Sequence, residues 1–91
     1  MWLKLPTGGW LNCDKIKEIY CDTVEVVRGM VSQRIYFIMD DDTMTNKSRF
    51  YTEIQPKELT LEQVTDHLVK SIALNRTSRV KLSVDGTVVL V

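Results

Sequence analysis

Apolar and polar residues alternate in short runs along most of this chain, and the pattern changes once to a helical period. Trp2 to Leu5 reads as a first strand stopped by Pro6, and Thr7, Gly8 and Gly9 supply a tight turn from which Trp10 and Leu11 return antiparallel. In "NCDKIKEIY", Asn12 can cap a single helical turn with Ile16 and Ile19 on one side. Ile19 to Val27 is rich in β-formers and breaks at Arg28 and Gly29. Ile35 to Met39 is continuously apolar or aromatic, which predicts a central strand buried on both faces. The segment "DDDTMTNKS" reads as a loop, and "RFYTEI" as a further strand ended by Pro56.

The helical period falls in "ELTLEQVTDHLVKSIALN". Thr60 and Gln63 have capping-box spacing, Leu59 and Val64 occupy the staple positions, and Asn75 is a suitable terminator. Leu61, Val64, Leu68 and Ile72 form one apolar stripe, widened by Leu59, Val69 and Ala73.

In the closing "RVKLSVDGTVVLV", Asp85 and Gly86 are the preferred pair for a two-residue hairpin turn. That turn pairs Val84 with Thr87, Leu82 with Val89 and Val80 with Val91, and leaves Val88 and Leu90 on the far face beside Lys81. The expected fold is α+β: an antiparallel sheet of five to seven strands with one principal helix on one face, connected β-β-β-β-β-α-β-β. Ile35, Phe37, Met39, Leu82 and Val84 complete its expected core with the helix stripe.

Composition narrows the class. The 91 residues suit a single domain spanning 1–91, because two cores would each be too small to offset the entropy of folding. The chain is 44% hydrophobic and 26% charged, close to the globular average. Twelve basic and twelve acidic side chains cancel, so no global field draws the protein to nucleic acid or an anionic membrane. No apolar run approaches the roughly 18 residues of a membrane span, and Pro6, Gly8 and Gly9 interrupt any signal-peptide core, so a cytoplasmic location is expected.

Candidate chemistry is sparse. Cys13, Cys21 and the single histidine, His67, are too few and too scattered for a structural zinc site, and the two cysteines read as ordinary thiols. His67 adjoins Asp66 on the helix, where neighbouring residues point about 100° apart and form no orienting pair. Asp40, Asp41 and Asp42 lack the alternate spacing and distant glutamate of a calcium loop and read as a solvated turn. The glycines of "LPTGGW" lack the Walker spacing. Trp2 and Trp10 are expected in the core, since one indole buries a large share of a small domain's apolar area; an aromatic platform for bases would instead expose them beside Arg or Lys.

These readings point to a protein that is not an enzyme and uses no cofactor or metal. A non-catalytic interaction module is expected, homodimeric and binding a larger protein as regulator, inhibitor or accessory subunit. Its expected interface is Val88, Leu90 and Lys81, because an exposed apolar edge at a strand invites pairing. The alternative is weak nucleic-acid binding through Lys47, Arg49, Arg76, Arg79 and Lys81.

Overall fold

The computed structural model describes residues 1–40, 48–74 and 79–90. Strand β1 (Trp2–Lys4) turns into β2 (Trp10–Asn12), and Asn12 then caps a single 3₁₀ turn, its side chain accepting from the Asp14 backbone N–H at 3.0 Å. This turn covers only Cys13–Lys15, so Ile16, expected within it, already belongs to the next strand. The long strands β3 (Ile16–Val27) and β4 (Met30–Met39) form a hairpin, and β5 (Ser48–Ile54) pairs with the other side of β4. Helix α1 (Leu61–Leu74) follows, then β6 (Val80–Leu82) and β7 (Val88–Leu90).

Among the described residues seven strands and one helix follow the expected order, but they build two sheets where one was expected. The first has the order β2-β1-β6-β7 and the second β3-β4-β5. All pairs are antiparallel except β1 with β6, which run parallel with Leu3 opposite Val80 and Lys4 opposite Lys81. Local alternation predicts strands but not which distant strand each will meet, and this pairing joins the two ends of the chain. The run at Ile35–Met39 does occupy the central strand of its sheet.

One core joins the two sheets and the helix. Leu3 from β1, Ile35 and Phe37 from β4, Ile54 from β5, Leu61, Val64 and Leu68 from α1, and Val80 and Leu82 from β6 are all buried, with Met39 and Ile72 partly buried against them. Full burial of side chains of this size contributes about 1.5–3 kcal/mol each. The helix starts as its capping box requires: the Thr60 N–H donates to Gln63 Oε1 at 2.9 Å and the Gln63 N–H to Thr60 Oγ1 at 3.2 Å. Leu59 nevertheless stays exposed, and Asn75 lies outside the described residues.

The closing hairpin differs from expectation by one residue. Leu82 pairs with Val88, Lys81 with Val89 and Val80 with Leu90. The connection is a three-residue loop, Val84 to Gly86: the Gly86 N–H donates to Ser83 O, the Ser83 N–H to Thr87 O, and Gly86 has φ +89°. This is a type I turn followed by a left-handed residue, in place of a two-residue turn. The β1–β2 hairpin repeats it, with Gly8 at φ +96° donating to Leu5 O and the Leu5 N–H donating to Gly9 O.

Side chains alternate along a strand, so a one-residue slip exchanges its faces. Val88, expected on the far face, turns inward and packs against the core. Val84, expected in the core, sits in the loop and is exposed. Leu90 is exposed at the end of the edge strand, and Val91 lies outside the described residues.

Candidate binding surface on the four-stranded sheet

In the three-residue strand β1 the middle residue, Leu3, faces inward and is fully buried, so alternation leaves one inward position. Trp2 and Lys4 must face outward. The register of β2 then places Trp10 opposite Lys4, on the same outer face, and Lys81 and Val89 continue the row across β6 and β7. Trp2 and Trp10 are 47% and 43% exposed, which overturns the expectation of core tryptophans. Hydrophobic bulk alone suggested burial, whereas the single inward position of the Trp-Leu-Lys strand is the signal that decides the matter.

Cations crowd these rings. The Lys4 ammonium lies 5.6 Å from the centre of Trp10, and the Arg79 guanidinium, just before β6, lies 5.8 Å from it. Such contacts contribute roughly 0.5–1 kcal/mol each at exposed sites and orient the cations on the aromatic face. The four strands carry no Asp or Glu. In a chain of zero formal net charge, the outer face of this sheet is thus locally basic. At one end it opens into a cleft of about 390 Å³ between the two three-residue loops, lined by Lys4, Pro6, Gly8, Lys81, Ser83 and Val84.

The basic residues expected to act together separate. Arg79 and Lys81 belong to this face, whereas Arg49 lies on the three-stranded sheet; Lys47 and Arg76 are outside the described residues. Arg49 is engaged in an aromatic ladder made by the register of β3, β4 and β5. Tyr20 stacks on Tyr36 at 4.9 Å, Tyr36 meets Tyr51 at 5.7 Å, and Arg49 sits 5.3 Å from the Tyr36 ring while donating to the Tyr20 hydroxyl at 3.3 Å. Arg34 lies 4.2 Å from the Tyr51 ring and bonds the Ser32 hydroxyl at 3.0 Å. Its register partners on the flanking strands are Asp22 and Glu53, so charge here is balanced.

Beyond the last residue pair with β5, the β3–β4 hairpin continues as a two-stranded arm whose tip exposes Val26, Val27, Met30 and Val31. Sequence reasoning identified the strand and its turn but not this apolar surface.

The possible reactive groups are not assembled. Cys13 is half-buried beside Ile16, Ile19, Val69 and Ile72, and burial pushes its thiol pKa up, away from the reactive thiolate. His67 is exposed and lines a different cleft of about 280 Å³, with Lys57, Glu58, Asp85 and Thr87. Hydrogen bonds from Thr87, its hydroxyl first and then its backbone N–H at 3.0 Å, hold the Asp85 carboxyl there below the usual range. Asp40 is exposed with its N–H bonded to Lys15 O, and Asp41 and Asp42 are outside the described residues. Among the described residues no three His, Cys, Asp or Glu side chains converge to hold a metal ion, and no helix is long and apolar enough to cross a membrane. Compared with known proteins, the chain matches no family, no curated protein and no solved structure.

Proposed function

We propose that this protein is a non-catalytic interaction module working through the outer face of its four-stranded sheet. The observation that carries the reading is the pair of half-exposed tryptophans set among Lys4, Arg79 and Lys81 on strands without a carboxylate. Exposed indoles lose apolar burial that a small core needs, and binding a partner recovers it. The test is affinity capture on the wild-type chain and on a Trp2→Ala/Trp10→Ala variant whose circular dichroism is unchanged. The variant is expected to lose the bound partner; retention of every partner would sink the assignment of this face.

A second reading, self-association or docking on a larger protein, is favoured by β7. It is the sheet's edge, and Val89 and Leu90 are exposed on it. An open edge offers unpaired backbone groups to a second strand, and pairing across a two-fold axis would cover Val89 beside Lys81 on the outer face and Leu90 at the rim of the inner face, the side of Val80 and Val88. Val88, expected in the interface, contributes from the core side instead. Sedimentation velocity should show a dimer that Leu90→Asp dissociates; a monomer persisting at high micromolar concentration counts against it.

A further inference from the structure

We infer that the ligand of the outer sheet face is single-stranded nucleic acid, with a base stacked at Trp10 and an adjoining phosphate held at the Lys4–Lys81 end of the face. This inference rests on the reading of that face as the working surface. A nucleotide is an anion joined to a planar ring, and this face offers both complements within one side-chain length. Lys4 connects them: its ammonium lies 5.6 Å from the Trp10 ring, and the same residue lines the cleft shared with Lys81. Trp2 is exposed on the same strand face, so a second ring is available for a neighbouring base.

An acidic peptide would satisfy the cations but gain little from two indoles. A duplex hides the faces of its bases and is read by elements that enter a groove, whereas a short sheet with upright aromatic rings suits unpaired bases. The aromatic ladder of the other sheet makes an instructive contrast: there Asp22 and Glu53 flank Arg34 in register, while no carboxylate stands in register with Lys4 or Lys81 on the four strands of the Trp10 sheet. Zero net charge removes long-range attraction, so the complex should be weak and strongly dependent on salt.

The test uses the full chain and two readouts. The protein's two tryptophans both lie on this face, so intrinsic fluorescence reports directly on its occupation. Fluorescence quenching and the anisotropy of a fluorescein-labelled short oligothymidylate are followed while protein and oligonucleotide are titrated. If Lys4, Arg79 and Lys81 contact phosphates, the log-log salt slope should be about −2, or about a 100-fold loss of affinity between about 20 mM and about 200 mM salt. Trp10→Ala should weaken binding by about tenfold, since stacking is removed. Lys81→Gln should weaken it and flatten the salt slope, and Lys70→Gln on the helix should change neither.

Binding that survives both Trp10→Ala and Lys81→Gln overturns the placement. Quenching by polyglutamate with none by oligothymidylate overturns the nucleic-acid assignment while leaving the face as a binding surface. Silence toward both polymers, with the protein capturing partners independently of the two tryptophans, overturns the inference and the reading beneath it together.

Discussion

Replacing Gly86 by alanine should be far more damaging than the same change at the other two left-handed glycines. Gly86 closes the three-residue loop of the last hairpin at φ +89°, and a β-carbon there would lie 2.8 Å from Val64 Cγ2 and 3.6 Å from Pro56 Cα. Val64 is fully buried on α1, and a β-branched side chain in a helix has essentially one χ1 rotamer, so it cannot swing aside. Two costs therefore add. The left-handed backbone costs an L-residue roughly 1–2 kcal/mol, and overpacking a well-filled core adds about 1–3 kcal/mol. Gly8 at φ +96° and Gly29 at φ +81° meet nothing within 4 Å, so alanine there should incur the backbone cost alone. For a stability on the order of 5–14 kcal/mol, Gly86→Ala removes a large fraction. Urea unfolding of the three alanine variants gives the comparison, with midpoints shifting by roughly 1 M for each 1–3 kcal/mol. Combining Gly86→Ala with Val64→Ala should return about 1–3 kcal/mol as a coupling energy, because the clashing methyl is then gone. Equal losses at Gly8, Gly29 and Gly86, or additive behaviour of the double variant, would refute the contact and with it the observed register of the hairpin.

Three further changes probe local features. Asp85 is held below the ordinary carboxylate range by its bond to Thr87, so its stabilising contribution is complete above that range and lost as pH falls through the lowered value; the stability difference between wild type and Asp85→Asn should shrink from about pH 6 to about pH 2, and a constant difference would contradict this. Thr60→Ala removes half of the capping box and should cost about 1 kcal/mol, lowering Tm by about 4–8 °C; an unchanged melting curve would show that the cap adds nothing. Thr52 is buried and its hydroxyl has no hydrogen-bond partner among the described residues, so the isosteric Thr52→Val should raise stability by roughly 1 kcal/mol, and a loss would reveal a partner for that hydroxyl.

Sequence alone determined the elements governed by near neighbours. The capping box, the apolar stripe Leu61–Val64–Leu68, the central strand at Ile35–Met39 and the order of strands and helix all follow from spacing within a few residues. Tertiary structure decided what depends on distant partners. The parallel meeting of β1 with β6 splits the expected single sheet in two and assembles the outer face from the two ends of the chain, bringing Lys4 beside Lys81 and Arg79 over Trp10. The faces of the last hairpin turned on one loop residue: the left-handed Gly86, packed against Val64, lengthens the turn and moves Val88 inward. Local propensity favours both the two-residue and the three-residue turn at Asp-Gly, whereas the three-residue form is tied to distant residues by the Gln55 N–H to Val84 O and the Lys57 N–H to Asp85 O and by packing of Gly86 near Val64. Trp2 and Trp10 obey the same physics, since hydrophobicity measures the gain on burial but the middle residues Leu3 and Leu11 take the inward places of the two three-residue strands.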